Sequence, residues 1–319
     1  LMAAGPEAWA RLRDRLTALL ADGARDRDRT ARHLRPLAGA RLHLPFRVAG
    51  FADFYAGRHH AQNVARMLRG PEAGLPPAWL HMPLAYGGRG ASVVVSGTPV
   101  RRPWGQVRPK GSDAPLLAPS RRLDFELELG AVVGLPSTPG RPVTVEEADG
   151  MIFGHVLLND WSARDIQGWE SEPLGPFQGK ATATTISPWI VTAAALRPFR
   201  VPAPAREVPV LPYLEEPFPT GLAVALEAAL APAGAGETVV TRTDARALYW
   251  TAPQQLVQAA SAGGPVETGD LLGSGTISGP GPGSRDRLLE LTWGGREPLA
   301  VEGGTRRFLE DGDRVTLRG

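Results

Sequence analysis

Leu123-Asp-Phe-Glu-Leu-Glu-Leu129 alternates apolar and acidic residues. A period of two predicts a β-strand, because successive side chains of a strand point to opposite faces. One face then buries the apolar side chains, and the other carries Asp124, Glu126 and Glu128. Glutamate is not favoured in strands, and adjacent carboxylates repel one another. Two interpretations follow: an exposed polar face of an amphipathic strand, or a site for a hard cation, which prefers oxygen ligands and offsets the repulsion.

Other short strands after residue 42 indicate the fold class. Turn residues separate them, and the proline-rich stretches 101–119 and 198–219 are typical of long connections. The sequence has no regular strand–helix alternation and no internal repeat, which favours an α+β, β-rich domain. The predicted strands are 91–96, 123–129, 151–158, 222–230, 288–293 and 313–317.

Helical spacing is concentrated at the start of the chain. Pro6 suits the first turn of a helix, and Trp9, Leu12 and Leu16 follow the helical period. A second, charged helix is predicted over 26–33. We therefore divide the chain into an N-terminal helical lead-in and a large β-rich domain, at 1–45 and 46–319. Within the large domain, the predicted helices are 63–69, 163–169 and 250–260.

Composition excludes several classes of function. The 319 residues are 43% hydrophobic and 21% charged, as in ordinary soluble globular proteins. The formal charge is only +2, and basic residues alternate with acidic ones, so we predict no nucleic-acid partner. The absence of cysteine excludes disulfides, thiolate nucleophiles and cysteine-ligated zinc, and it suits a cytoplasmic location. No apolar run has the length of a membrane span, so no membrane association is predicted.

Two further segments place polar side chains where they can join the acidic face. Asp53 and Tyr55 are two residues apart in a short extended stretch, and His60 follows within one or two helical turns. Asp160 comes directly after the predicted strand 151–158 and before a predicted helix. Its carboxylate can therefore point into the same pocket as the acidic face, or it can cap that helix, as strand-end aspartates often do.

Other catalytic templates fit the sequence poorly. Gly273-Ser-Gly-Thr-Ile-Ser-Gly279 lacks the G-x-G-x-x-G spacing and no amphipathic helix follows it, so a dinucleotide-binding loop is not predicted. We also predict no organic cofactor. No G-x-S-x-G nucleophile elbow is present. His59 and His60 are adjacent, so one regular element cannot direct both side chains to the same metal.

Long motifs along the chain resemble those of the fumarylacetoacetase (fumarylacetoacetate hydrolase) family. The longest is Leu158-Asn-Asp-Trp-Ser-Ala-Arg-Asp-Ile-Gln167. The similarity continues in order from about residue 6 to the end of the sequence, without the small barrel that precedes the helical segment in the family. The other matching segments are 53–60, 94–99, 173–177, 185–189, 274–279 and 308–313.

The resemblance implies a fumarylacetoacetase-type mixed β-roll catalytic domain over 46–319, and a homodimer. It implies a metal-dependent hydrolase that cleaves a carbon–carbon bond in a β-diketone acid. The implied cofactor is Mg²⁺, Ca²⁺ or Mn²⁺. The implied substrate is a small dicarboxylic diketone, and fumarylacetoacetate, an intermediate of tyrosine and phenylalanine breakdown, is the first candidate.

The resemblance also assigns roles to individual residues. His60 matches the catalytic base, and Glu290 matches the carboxylate that orients it. The positions that match ligands of the divalent metals are Asp53, Glu126, Glu128 and Asp160, with Lys180 and Thr184 beside a second ion. The polar groups that match those stabilising negative charge are Arg164, Gln167 and Lys180. The positions that match substrate contacts are Tyr55, Arg69, Tyr86, Gln167, Ser171 and Thr276.

Two departures from the family pattern concern the substrate. The family's Trp-Glu-Tyr here reads Trp169-Glu-Ser171, and its Tyr-His-Gly-Arg reads Tyr86-Gly-Gly-Arg89. One alternative is therefore a hydrolase of another β-diketone or acylpyruvate, including one in a biosynthetic pathway. Decarboxylation or isomerisation of an oxo-acid is a further alternative. A non-catalytic, metal-stabilised scaffold is another, but a scaffold would not need both His60 and Glu290.

Overall fold

The computed structural model describes residues 1–319. The helices are α1 (Pro6–Leu20), α2 (Arg27–Ala31), α3 (Arg58–Arg69), α4 (Val145–Met151), α5 (Arg164–Glu170), α6 (Ala193–Leu196), α7 (Ala252–Ala260) and α8 (Leu288–Leu291). The strands are β1 (Phe51–Phe54), β2 (Ala85–Gly87), β3 (Val93–Val95), β4 (Trp104–Val107), β5 (Leu116–Pro119), β6 (Leu123–Asp124), β7 (Leu127–Val133), β8 (Ile152–Asp160), β9 (Ser162–Ala163), β10 (Thr184–Ile186), β11 (Val191–Thr192), β12 (Arg200–Val201), β13 (Gly221–Leu222), β14 (Ala225–Ala231), β15 (Thr238–Asp244), β16 (Leu271–Gly273), β17 (Leu299–Val301), β18 (Gly304–Arg306) and β19 (Arg314–Arg318).

A mixed eight-stranded sheet forms the centre of the fold. Its order is β2-β1-β16-β7-β8-β10-β3, and β11 also pairs with β8. The pairs β1–β16 and β3–β10 are parallel, and the other pairs are antiparallel. A separate three-stranded sheet has the order β15-β14-β19. This arrangement confirms the predicted α+β, β-rich class.

Three apolar clusters pack against the central sheet. One joins β7 and β16 to α4 and α7, and its largest fully buried side chains are Trp79, Tyr249 and Trp250. A second joins the apolar face of the acidic segment, including Phe125 and Leu127, to β14 and α8. A third lies on the opposite face of the sheet, because it contains Val132 of β7 and Leu271 of β16, whose chain neighbours face the first cluster. The central strands are therefore covered on both faces.

The acidic segment 123–129 differs from the predicted uninterrupted amphipathic strand. It is divided into β6 and the start of β7, with Phe125 and Glu126 between them. Asp124, Glu126 and Glu128 expose only 0%, 3% and 0% of their surface. The interpretation of these carboxylates as an exposed polar face is therefore wrong, because they lie in the interior.

Residues 288–293 do not form the predicted strand. Leu288–Leu291 is the short helix α8. The Asp124 carboxylate accepts hydrogen bonds from the backbone N–H groups of Leu288 (2.9 Å) and Leu289 (3.1 Å), which have no partner within the helix. A short apolar run is equally compatible with a strand and with a buried helix, so the spacing of apolar residues in 288–293 could not decide between the two.

Other element boundaries also differ from the predictions. Helix α4 was not predicted, although Thr144 and Glu147 form a capping box at its start. Helix α3 begins at Arg58 instead of residue 63, so it includes His60. The lead-in helices lie where they were predicted, and Trp9 of α1 packs edge-on against Phe153 of β8 with ring centroids 5.1 Å apart. The domain boundary at residue 45 stays a prediction.

No helix has both the length and the apolar character needed to span a membrane.

Asp124 provides a test of how the acidic segment is joined to α8. Besides capping α8, its carboxylate accepts a hydrogen bond from Arg164 Nε (3.0 Å). We expect Asp124→Ala to lower the free energy of unfolding by about 3–5 kcal/mol, because it leaves a buried guanidinium without this partner. The control is Asp149→Ala, which breaks a half-buried ion pair with Arg200 and should cost about 1 kcal/mol or less. Urea unfolding measures both, and equal costs would contradict the role assigned to Asp124.

Candidate active site

A cavity of about 390 Å³ lies beside one edge of the central sheet, between β1, β2, α3 and the segment that follows α5. We call it the active-site cavity. Its wall includes eight of the residues selected from the sequence: Asp53, Tyr55, His60, Tyr86, Glu126, Gln167, Lys180 and Thr276.

Three carboxylates gather in the sheet beside this cavity. Asp53 of β1, Glu128 of β7 and Asp160 at the end of β8 each offer an oxygen within 4.8 Å of the others. Gly273 of β16 lies between β1 and β7, and a Cβ atom there would lie 2.9 Å from Glu128 Oε2 and 3.1 Å from Asp53 Oδ1. The missing side chain therefore leaves space for the carboxylates to approach each other. We call Asp53, Glu128 and Asp160 the acidic triad.

The acidic triad fits a hard divalent cation. Asp53 Oδ1 and Glu128 Oε1 are buried and have no hydrogen-bond partner. Burial, together with the neighbouring carboxylates, raises the pKa of both groups well above their ordinary values. Buried acceptors without partners are costly. An oxygen-preferring cation such as Mg²⁺ or Ca²⁺ would satisfy both oxygens and reduce the repulsion.

Glu126 has different surroundings from the triad. Its Oε1 accepts hydrogen bonds from Lys180 Nζ (2.6 Å) and Arg287 Nη1 (2.8 Å), and it lies 2.8 Å from Arg164 Nη2. Its Oε2 accepts one from Thr276 Oγ1 (2.6 Å). Burial favours the neutral acid, but the three cations hold the pKa of Glu126 well below its ordinary value. The metal-ligand role predicted for Glu126 stays a prediction.

Polar side chains surround Asp160. Lys180 Nζ donates to Asp160 Oδ2 (2.5 Å), and Thr184 Oγ1 donates to Asp160 Oδ1 (2.8 Å). The Tyr86 hydroxyl lies within hydrogen-bond distance of the carboxylates of both Asp53 and Asp160, and its single O–H can donate to one of them at a time. Burial opposes the charged form of Lys180, but Asp160 and Glu126 raise its pKa above the ordinary value. Lys180 is therefore cationic, and the group predicted to surround a second ion is assembled around Asp160.

His60 and Glu290 form a buried pair, which we call the dyad. His60 Nδ1 lies 2.5 Å from Glu290 Oε1, and both side chains are buried. Burial and the Arg287 cation lower the pKa of His60. Burial alone would raise the pKa of Glu290, but His60 and Arg287 lower it. A neutral imidazole that donates from Nδ1 to a carboxylate has Nε2 free to accept a proton.

Two predicted substrate contacts are not brought to the cavity wall. Arg69 is exposed at the end of α3, where its Nη2 donates to the carbonyl of Gly74 (2.8 Å). Ser171 follows α5, and its hydroxyl donates to the carbonyl of Gln167 (2.5 Å). Their contacts with substrate stay predictions. Arg164 lies behind the wall, where its Nη1 donates to Gln167 Oε1 (3.1 Å).

Three residues of the site were missed in the sequence. Asn63 Nδ2 donates to Glu290 Oε2 (2.7 Å), and Ser278 Oγ donates to Glu290 Oε1 (3.0 Å). Asn63 follows His60 by three residues, a helical spacing that would have indicated it had α3 been predicted from Arg58. Arg287 precedes Glu290 by three residues, a spacing that puts two side chains on one face of a helix but on opposite faces of a strand. Because residues 288–293 were predicted as a strand, the spacing did not indicate Arg287.

Comparisons with known proteins agree with this geometry. The model of the family described as fumarylacetoacetate (FAA) hydrolase, C-terminal, matches residues 50–319. The chain belongs to the fumarylacetoacetate hydrolase family. Within that family it is 46% identical to fumarylacetoacetase of Arabidopsis thaliana, over 100% of this chain and 77% of that protein. It is 46% identical to fumarylacetoacetase of Rattus norvegicus, over 99% of this chain and 76% of that protein.

Solved structures support the fold assignment. The crystal structure of a 5-carboxymethyl-2-hydroxymuconate delta-isomerase from Mycobacterium smegmatis aligns with a TM-score of 0.52, over 89% of this chain and 79% of that chain. The sequence identity is 21%, so this likeness concerns the fold alone. The predicted membership of the fumarylacetoacetate hydrolase family and the predicted fold are therefore confirmed.

The raised pKa values in the acidic triad allow a prediction of how the stability of the folded protein depends on pH and on bound metal. A carboxyl whose pKa is raised on folding stabilises the folded state at low pH, and that contribution is lost as pH rises through the folded pKa. Asp53 and Glu128 both have raised pKa values. We therefore expect chelated wild-type protein to melt lower at about pH 8 than at about pH 5, and Glu128→Gln to reduce this difference. Excess Mg²⁺ or Mn²⁺ should raise the melting temperature of the wild type more than that of Glu128→Gln.

The control for this experiment is Glu72→Gln, which alters an exposed glutamate. It should follow the wild type in every condition. If metal fails to raise the melting temperature of the wild type, the acidic triad does not bind the ions tested.

Proposed function

We propose that this chain hydrolyses fumarylacetoacetate to fumarate and acetoacetate, cleaving a carbon–carbon bond of a β-diketone acid. The observation that carries the proposal is that His60 of the dyad and Asp53 of the acidic triad lie in the wall of one cavity. The relatives that are 46% identical are named fumarylacetoacetase, which supports the choice of substrate.

The dyad supplies the base of the reaction. His60 takes a proton from water through Nε2, while Glu290 holds the Nδ1–H and stabilises the imidazolium that forms. Asn63 and Ser278 donate hydrogen bonds to the Glu290 carboxylate and fix its position. Asp53, Glu128 and Asp160 would hold a divalent cation, which would supply Lewis-acid polarisation of the attacked carbonyl.

Donors in the cavity wall stabilise the negative charge that develops. Lys180 is cationic and lines the cavity. Gln167 accepts a hydrogen bond from Arg164 with its amide oxygen, which leaves the Gln167 NH₂ group free as a donor. Donors that are fixed before the reaction require little reorganisation as the oxyanion and the enolate form. Arg164 therefore acts through the orientation of Gln167.

The proposal also covers the identity of the metal ion, the cellular location and the oligomeric state. The ion is Mg²⁺, Ca²⁺ or Mn²⁺, since all three take carboxylate ligands. The protein acts as a cytoplasmic homodimer and needs no organic cofactor. The sequence motifs support the dimer, and the lack of cysteine suits the cytoplasm.

A second candidate is hydrolysis of a bulkier β-diketone or an acylpyruvate by the same groups. The observation that favours it is Ser171, which stands where the family has a tyrosine and contacts the Gln167 carbonyl. The neighbouring Leu174, which lines the cavity, is 94% exposed. This side of the cavity is therefore open to solvent.

His60 allows a direct test of the proposed base. We expect His60→Asn to lower kcat for fumarylacetoacetate by about 10²–10⁴-fold, the usual contribution of general-base catalysis. Glu290→Gln should cost a similar factor or less, and the double variant should be far from additive because the dyad acts as a unit. Loss of the conjugated-diketone absorbance measures turnover.

The matched control is His59→Asn. His59 is adjacent to His60 but is not part of the active-site cavity wall, so kcat should stay close to that of the wild type. Near-normal turnover by His60→Asn, with metal still bound, would remove His60 as the base.

Ser171 distinguishes the two candidate substrates. If fumarylacetoacetate is the substrate, Ser171→Tyr should leave KM unchanged or lower it, because the phenol adds a donor and apolar contact. If a bulkier diketone is the substrate, the same change should raise its KM through steric clash. Ser171→Ala is the control, since it removes only the hydrogen bond to Gln167. The measurement is kcat/KM on both kinds of acid, and a wild type active only on the bulkier one would contradict our first choice.

A further inference from the structure

Arg287 is a buried guanidinium in the active-site cavity wall to which the family motifs assign no role. It lies directly before α8, and its Nη1 donates to Glu126 Oε1 (2.8 Å) and to Thr276 Oγ1 (3.4 Å). Its Nε is buried without a hydrogen-bond partner and lies 3.7 Å from Glu290 Oε1. Its Nη2 makes no hydrogen bond. Two of its three nitrogens therefore have unused N–H groups.

The other cations near the cavity have fewer unused donors or a different position. Lys180 Nζ donates to Glu126 and to Asp160. Arg164 contacts Asp124, Glu126 and Gln167 and lies behind the wall. Arg69, the arginine first expected to contact the substrate, is exposed and bonded to a backbone carbonyl. Among these four side chains, Arg287 has the largest donor capacity available inside the cavity.

A substrate acid entering this cavity meets several carboxylates. Asp53 and Glu126 line the wall, and Glu290 lies behind Arg287. An anion is stabilised there only if a cation with free donors compensates for the repulsion and for the lost hydration. A guanidinium is well suited to a carboxylate, because it stays charged and offers several N–H groups in a fixed plane.

We propose that Arg287 binds a carboxylate of the substrate through its Nη2 edge and thereby selects diketone acids over neutral diketones. The identity of the acid rests on the proposed function, whereas the recognition of a carboxylate rests on Arg287 itself. The Tyr55 hydroxyl, which lines the same cavity and makes no hydrogen bond within the protein, is a second donor for that carboxylate. Because Arg287 lies beside Glu290, a carboxylate bound there holds the substrate next to the dyad.

The test compares a charged substrate with a neutral one. Arg287→Gln should raise KM for fumarylacetoacetate by about 10–100-fold, the range expected for a lost hydrogen bond to a charged group. For the dimethyl ester of fumarylacetoacetate, KM should change by less than about 3-fold, because the ester has no carboxylate to lose. An equal loss of kcat/KM on the acid and the ester would overturn the proposal and leave Arg287 as a positioning residue for Glu126 and Glu290.

Arg285→Gln is the matched control. Arg285 is two residues away, stacks on the Trp293 ring (4.9 Å) and is outside the cavity wall. Its Nη1 donates only to the backbone carbonyl of Glu290 (3.5 Å), so the variant leaves the Glu290 carboxylate and the cavity donors in place, and KM for the acid should not change. Arg287→Lys provides a second variant that keeps the charge beside Glu126. Lysine cannot reproduce the planar donor edge, so KM for the acid should again rise more than KM for the ester. If Arg287→Gln does not fold, an equal change for acid and ester in Arg287→Lys would overturn the proposal.

A binding measurement separates this proposal from the proposed function. Calorimetric titration of metal-loaded protein with fumarate requires no turnover, and Arg287→Gln should bind fumarate about 10-fold or more weakly than the wild type. A wild type that fails to hydrolyse fumarylacetoacetate would remove the proposed function. Equal fumarate affinity in the wild type and Arg287→Gln would instead remove the carboxylate site.

Discussion

Glu126 is a buried carboxylate that can remain charged only because three cations contact it. A lone ionised carboxylate in the interior is unstable, and a buried cation without a partner is equally costly. Lys180, Arg164 and Arg287 come from three separate segments of the chain, and each contacts Glu126. Electrostatic pairing therefore holds these three segments around the Glu126 carboxylate. Lys180 and Arg287 face the cavity from there, and Arg164 orients Gln167 from behind.

Two glutamates of the same segment have opposite electrostatic properties. The cations lower the pKa of Glu126, whereas burial and neighbouring carboxylates raise the pKa of Glu128. Glu126 therefore satisfies the charges of protein cations, and Glu128 offers an oxygen that has no protein partner. The separation is useful chemically, because a carboxylate already bonded to three cations is a poorer ligand than one that lacks a partner. The two groups meet at Lys180, which contacts Glu126 and also donates to Asp160 of the acidic triad.

The sequence predicted the composition of the site better than its local structure. The period of two correctly separated the apolar and acidic faces of 123–129, but it could not show that both faces are covered. The first N–H groups of helix Leu288–Leu291 donate to Asp124, which is 164 residues away from Leu288 and invisible to any local pattern. His60 and Glu290 are 230 residues apart, and only the family resemblance connected them. Arg287 matches no motif, and its donors become visible only with the contacts of the folded chain.

The catalytic and the substrate-selecting parts of this cavity rest on different kinds of structure. The acidic triad lies on three strands of the central sheet, and the dyad lies on two helices. The segment with Leu174 is instead a loop, attached where the Glu170 carboxylate accepts N–H groups of residues 177–179. Side chains on strands and helices are held within narrow limits, whereas loops tolerate substitution. A change such as serine for tyrosine at position 171 therefore alters the outer end of the cavity and leaves the base and the cation site in place, so substrate range can change in this fold without a change of reaction.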